Sequence, residues 1–262
     1  MVKGLQTYKT PGTPGGSILR NPGGPEIDTE KQKIYRSGVG MLLYLVKHSR
    51  PDIANAVREL SKALDGTSAA AYKELLRVLK YVMDTRKLSL KIQPEKGDKS
   101  SWTIVAFSDS DYAGDSKTRI SIAGFILYFC GVPVSWRSKG MKGVTLSSSE
   151  AEYVALSEAA KEIKFVFQIL QSMGIRVTLP IIVRVHNVGA IFIGTNVTTS
   201  QRTKHFDVRY HFVREFVYDG FIRIILVKTS DNDADIFTKN LPGELHGRHA
   251  SKMVKEKEES NL

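Results

Sequence analysis

The sequence predicts an α/β (α+β) chain, a helical block followed by a mixed sheet, and three observations carry that prediction. From Asp28 to Tyr81 apolar residues recur at helical spacing. From Lys87 the period shortens to that of strands, and from Ser148 one apolar stripe continues at helical steps to Met173. With 262 residues, 42% of them hydrophobic, the chain can bury a real core in one or two domains.

The elements follow in order. Gly4, Pro11, Gly12, Pro14, Gly15, Gly16 and Pro22 to Pro25 are too dense in turn formers for a helix or central strand, so residues 1–27 are expected to be a flexible Gly/Pro-rich arm. A helix opens near Asp28 or Thr29. A second starts at Pro51, which suits a first helical position, with Asp52 at the positive end, and stops at Gly66. Its stripe is Ile53, Val57, Leu60 and Leu64. A third begins after Thr67 and turns Tyr72, Leu75, Leu76, Leu79 and Val82 inward, leaving Lys73, Arg77 and Lys80 on the other face, either solvated or against phosphate. Residues 28–100 form this helical segment, which ends in a strand at LeuSerLeuLysIle and a hinge at GluLysGlyAspLysSerSer.

Residues 101–241 form the second domain. TrpThrIleValAlaPhe is a strand leading into Asp109; two further apolar runs, separated by Cys130 and Gly131, form an antiparallel meander. A long helix spans Ser148 to Met173, IleIleValArgVal is a strand, a short helix starts at Asn187, and another runs from Asp207 to Asp219. PheIleArgIleIleLeuVal is a last strand, Asp235 opens a final helix, and residues 242–262 are a charged tail expected to fray.

The formal charge of +11 favours a polyanionic partner, and the excess is lopsided: residues 1 to 100 carry 18 Lys and Arg against 10 Asp and Glu. Cys130, the only cysteine, reads as a small buried hydrophobe; with no disulfide framework a reducing intracellular compartment is expected. No apolar run has transmembrane length, no secretory signal opens the chain, and no membrane partner is expected.

Acids mark the candidate site. SerAspSerAspTyrAlaGlyAsp, residues 108–115, ends an apolar strand in Asp109, Asp111 and Asp115, a pattern that suits a metal site at a strand end or an ordinary turn. On the long helix, Glu152 heads the stripe Leu156, Ala159, Ile163, Val166, Leu170, Met173, whereas Glu150, Glu158 and Glu162 fall off it and should meet solvent or cap the helix. An acid in line with a core stripe needs a compensating partner such as a shared cation. Asp235 is a third candidate. Residues 163 to 206 contain no acid, and His186 closes the IleIleValArgVal strand, as a structural residue or as a ligand.

SerAspSerAspTyrAlaGlyAsp, LeuSerSerSerGluAlaGluTyrValAlaLeu, ArgThrLysHisPheAspValArgTyrHisPheValArgGlu and AspAlaAspIlePheThrLysAsnLeu together resemble the ribonuclease H domain of a copia-type LTR retrotransposon Pol polyprotein. Upstream, LysIleTyrArgSerGlyValGlyMetLeuLeuTyrLeu, SerArgProAspIleAlaAsnAlaValArgGluLeuSer and TyrLysGluLeuLeuArgValLeuLysTyrVal resemble the thumb and connection segment of such a reverse transcriptase. The resemblance implies a ribonuclease H-like fold, a five-stranded mixed sheet flanked by helices. It also implies a site of Asp, Glu, Asp and Asp on two Mg2+ ions, with Mn2+ as an alternative. Asp109, Glu152 and Asp235 match the first, second and fourth acids, as metal ligands and catalytic groups; at the third, in an AspAsn pair, this sequence has His186 and Asn187.

Imidazole offers nitrogen and no negative charge where magnesium prefers hard oxygen, so cleavage of an RNA–DNA hybrid is expected to be weak or absent. No polymerase activity is expected, because the family's fingers and palm have no counterpart here. The alternative is an inactive nucleic-acid-binding or assembly module. The implied partners are an RNA–DNA hybrid or other nucleic acid and the remainder of a reverse transcriptase polyprotein, in the cytoplasm, a virus-like particle or the nucleus. Lys73, Arg77, Lys80, Arg202, Lys204, His205 and Arg209, with Arg137 and Lys139, are the candidate phosphate contacts.

Overall fold

The computed structural model describes residues 7–18, 27–94, 102–115, 118–195 and 207–256, with backbone alone at 192–195 and 207–210. In chain order the elements are α1 (Thr29–His48), α2 (Ala54–Ser61), α3 (Ala69–Asp84), β1 (Leu88–Leu90), β2 (Ile104–Asp111), β3 (Ile122–Phe129), β4 (Val132–Gly140) and α4 (Ser148–Ser172). There follow β5 (Ile181–Val185), α5 (Val188–Thr195), α6 (Asp207–Tyr218), β6 (Ile222–Leu226), α7 (Gly243–Met253) and β7 (Val254–Glu256). They form two compact units, Met1–Lys91 with Asp115–Thr118 and Lys239–Leu262, and Ile92–Gly114 with Arg119–Thr238. Among the described residues no helix is long and apolar enough to cross a membrane.

In the first unit, side-chain caps fix the helix starts: Asp28 accepts the Lys31 N–H and Ser68 that of Ala71. A short 3-10 turn, Pro51–Ile53, leads into α2. The core joins Tyr35, Val39 and Leu42 of α1 to Ile53, Val57 and Leu60, and to Ala71, Leu75, Val78 and Tyr81 of α3. The inward face of α3 is therefore rotated from the expected one: Leu76 is 49% exposed, while Tyr72, Leu79 and Val82 are partly buried. The reason lies on α1, where a Cβ on Gly38 would stand 3.1 Å from the Leu75 methyls, so Leu75 occupies the space that Gly38 leaves and sets the rotation of α3.

Two expectations for this unit are corrected. Residues 242–262 do not begin as a frayed tail: α7 buries His246, His249, Ala250 and Met253, and β7 pairs antiparallel with β1, Leu88 opposite Glu256 and Leu90 opposite Val254. Composition misleads there because the inward column is mostly His and Ala, which read as polar or neutral. Within the Gly/Pro-rich arm, Thr10, Pro11 and Gly12 are buried, and the Gly15 N–H donates to the Asn240 carbonyl at 2.9 Å.

In the second unit, five strands form the sheet β4-β3-β2-β5-β6, with β2–β3 and β3–β4 antiparallel and β2–β5 and β5–β6 parallel. This is the ribonuclease H-like α/β architecture that the resemblance implies. α4, capped by Ser147, covers the face bearing Ile104, Ala106, Phe125 and Leu127 through Tyr153, Leu156, Ala159 and Ile163. Glu158 and Glu162 point outward, to Lys161 and to Ser135. Cys130 is not a core residue but a half-buried turn residue between β3 and β4, at φ 48°. Asp235 opens a 3-10 turn, Asp235–Phe237, and not the last helix, which starts only after Pro242.

Candidate metal centre

Strand register brings the first two residues together. β2 and β5 run parallel with Phe107 opposite Arg184, so two residues further on Asp109 stands beside His186, just past the end of β5. In both strands the chain here leaves the apolar core. Asn187 then caps α5, its Oδ1 accepting the Ala190 N–H at 3.1 Å, which fixes the backbone next to His186.

Side chains alternate along β2, so Asp109 faces away from α4, on the same face as its β3 partner Gly124. That face is covered by the 3-10 turn. A Cβ on Gly124 would stand 2.8 Å from both Phe237 Cβ and Thr238 Cγ2, so the turn seats on the sheet only because residue 124 lacks one. Seated there, the Thr238 hydroxyl donates to Asp109 Oδ2. From the opposite face α4 delivers Glu152, whose Oε1 accepts the Ser110 N–H at 3.3 Å. His186, beyond the strand end, is reached from both faces: Nδ1 lies 3.0 Å from Asp109 Oδ1 and Nε2 3.4 Å from Glu152 Oε1.

The donor atoms of Asp109, Glu152 and His186 all lie within 4.8 Å of one another, a group able to hold a metal ion. Asp109 is fully buried, Glu152 3% exposed and Asp235 1% exposed. Asp235 is not in that close group, although its charge acts on His186. The hydrogen bond to Asp109, opposed by burial and reinforced by the charges of Glu152, Asp109 and Asp235, raises the His186 pKa. Burial and the Asp109 charge push Glu152 up to about 8, against a downward pull from His186 and Ser110. Both shifts favour the protonated form of the group concerned, His186 and Glu152. Glu152 Oε2 is buried with no hydrogen-bond partner among the described residues.

Other candidates fall elsewhere. Asp111 ends β2 and its carbonyl accepts the Gly114 N–H at 3.3 Å, whereas Asp115 belongs to the first unit, where it pairs with Lys62 at 2.9 Å. Both are turn residues, outside the close group. Glu150 is buried as a cap, accepting the Leu146 N–H at 2.6 Å. Lys73 is exposed, but Arg77 lies over the Tyr8 ring and Lys80 pairs with Asp84, so α3 does not present three free cations. Arg137 is within 3.6 Å of Glu158, and Lys139 is exposed. Arg202, Lys204 and His205, and the Arg209 side chain, lie outside the described residues. Sequence reasoning missed Thr238 and Asn232. Asn232 Nδ2 donates to the Ser108 carbonyl at 2.9 Å and stands 3.3 Å from His186 Nδ1. For Thr238, its place three residues after Asp235 in a tight turn was the available signal.

The sheet order and the acids on β2 and α4 define a ribonuclease H-like domain. The Retrovirus-related Pol polyprotein from transposon RE1 of Arabidopsis thaliana is 37% identical over 219 residues, 84% of this chain and 15% of that protein. The corresponding polyprotein from transposon TNT 1-94 of Nicotiana tabacum is 35% identical over 208 residues, 79% of this chain and 15% of that protein. The chain is homologous to one stretch of these transposon Pol polyproteins and spans about 15% of the length of these curated relatives. No protein-family model matches it. Among solved structures, LC11-RNase H1 isolated from compost is 15% identical with a TM-score of 0.40, over 52% of this chain and 91% of that one.

Proposed function

We propose that the chain is a nucleic-acid-binding ribonuclease H-like domain of a retrotransposon Pol polyprotein in which hydrolysis of an RNA–DNA hybrid is impaired by His186. The observation that carries this reading is the placement of the imidazole, with one ring nitrogen on Asp109 and the other on Glu152. Hydrolysis by two ions needs hard oxygen donors around a pair of cations about 4 Å apart. Here an imidazole with a raised pKa stands 3.0 and 3.4 Å from one oxygen of each of two such donors, where a cation would have to sit, and Asp235 stands outside the close group. The donor set does not fit a magnesium pair. Hybrid binding draws on the chain's positive charge and on backbone recognition, which a blocked metal site leaves intact.

A second reading is favoured by one observation. Two carboxylates and an imidazole converge within 4.8 Å, which suits a single borderline cation such as manganese or zinc, once the ring is neutral.

The test compares the natural chain with His186→Asp for hybrid cleavage in magnesium, in manganese and without metal, alongside hybrid binding over a salt series. The expected outcome is binding that weakens steeply with salt, little or no cleavage by the natural chain, and a magnesium-dependent gain of roughly a hundredfold or more in the variant. A variant no more active than the natural chain overturns the account of the defect. Affinity indifferent to salt overturns the electrostatic part, and manganese-only cleavage by the natural chain selects the single-ion reading.

A further inference from the structure

Within the first unit, residues 8–18 lie over α2 and α3 and are held at several points. The Thr13 hydroxyl and N–H donate to Glu74 at 2.7 and 3.3 Å, Ser17 and Ile18 donate to Glu59 at 3.1 and 2.8 Å, and the Asn240 amide donates to the Gly16 carbonyl at 2.8 Å. Between these points the segment lines one side of a partly open cavity of about 520 Å³. That volume lies within the range of small-molecule sites. Its apolar wall includes Ile18, Ala56, Leu60, Ala71 and Val78.

The polar groups of the wall are unequally matched. Glu59 is paired with Arg58 at 2.6 Å and Lys62 at 2.8 Å, and the Glu74 oxygens receive the two Thr13 donors. Arg77 gives Nη2 to Thr10 at 3.0 Å and stacks 4.3 Å from the Tyr8 ring centroid, but its Nε is buried with no acceptor among the described residues. A buried N–H of a cation without an acceptor is costly. Lys73, at the same cavity, is exposed, and the positive end of α3, capped by Ser68, opens onto it. Among the described residues, the one buried polar side-chain atom of this wall left without a partner is therefore a donor carrying positive charge, Arg77 Nε.

We propose that this cavity binds a small amphipathic anion, an aromatic ring or short branched chain bearing a carboxylate or sulfonate, with the apolar body against Leu60 and Val78 and the acid toward Arg77 and Lys73. Such a ligand would also tie residues 8–18 to α3, so its binding would stabilise the first unit. The site is separate from the Asp109 cluster and does not depend on hybrid binding or cleavage.

The experiment uses the full chain. Binding of 1-anilinonaphthalene-8-sulfonate is followed by fluorescence, and naphthalene-2-carboxylate is compared with naphthalen-1-ylmethylammonium by calorimetry. The natural chain is measured beside Ala70→Trp and Lys73→Glu, both at exposed positions, with circular dichroism melts to establish that each variant folds. The expected result is saturable one-to-one binding of both anions, weakened about tenfold or more by either substitution, and weak binding of the ammonium. Absence of saturable binding up to about 1 mM, unchanged affinity in both variants, or an ammonium bound as tightly as the carboxylate overturns the proposal.

Discussion

In the second unit His186 sets its ring nitrogens 3.0 and 3.4 Å from the carboxylates of Asp109 and Glu152, whereas in the first His246 turns Nε2 to the backbone oxygen of Asp52, 3.1 Å away. His246 is the more enclosed, at 4% exposed, and burial lowers its pKa, while that of His186 is raised. The difference lies in what the neighbouring acid is already doing. The Asp52 carboxylate is held by Arg50 Nε and Nη2, each at 2.8 Å, and by the Tyr81 hydroxyl at 3.1 Å. At the Asp109 cluster the group at ion-pair distance is the imidazole itself, and its pKa is raised chiefly by its hydrogen bond to Asp109. A buried histidine follows the charge beside it more than its depth.

The largest expected effect comes from removing the matched charge in the first unit. Arg50→Leu leaves Asp52 buried without its cation and should lower stability by about 3–5 kcal/mol, read by urea denaturation. In the surviving fold the His246 titration, followed by NMR, should move upward toward the behaviour of His186; a titration that stays put breaks the comparison. Gly124→Ala comes next. It forces the 235–238 turn off β3, with an expected loss of about 1–3 kcal/mol, and detaches Thr238 from Asp109 while leaving the His246 titration unchanged.

A smaller effect concerns pH, measured as melting temperature in the presence of a chelator. His186 has a raised pKa in the folded state, so its contribution is complete below its unfolded value and is lost as pH rises through the folded one. Glu152, also raised, holds a proton in the folded state that the unfolded chain releases, so it too lowers stability as pH climbs from 5 toward 8. The natural chain should lose on the order of 5 °C across that interval. His186→Asn should differ from it most below pH 6 and least at high pH; a difference that grows with pH contradicts the assignment of the imidazolium. Smallest is Lys161→Ala, which removes an exposed pair with Glu158 on α4 and should change stability by only a few tenths of a kcal/mol, roughly 0.3, in the same melts.

Much of this was legible in the residues. Periodicity places α1 to α4 and the strands of the sheet, because apolar spacing there reports a core that each element meets directly. Glu152 could be chosen over Glu150, Glu158 and Glu162 for the same reason. The rotation of α3 was not legible, since it depends on a missing Cβ on another helix at Gly38. The close contacts of His186 were hidden as well: register between β2 and β5, which lie far apart in sequence, sets them. Thr238 and Gly124 act as a pair across the sheet surface, and neither carries a charge; the place of Thr238 three residues after Asp235 was the one signal among them. The arm and tail were misread because glycine, proline and charge content describe what a segment would do unpartnered.

The strand β7 that closes against β1 has a consequence for the order in which the protein takes shape. The sheet of the second unit is complete once Leu226 has been made, and the turn that seats on it once Thr238 has. The helices of the first unit are synthesised earlier, yet their last strand and the His246 contact to Asp52 come from residues translated afterwards. The helices of the first unit therefore cannot complete their native contacts until the residues of the second unit have been synthesised.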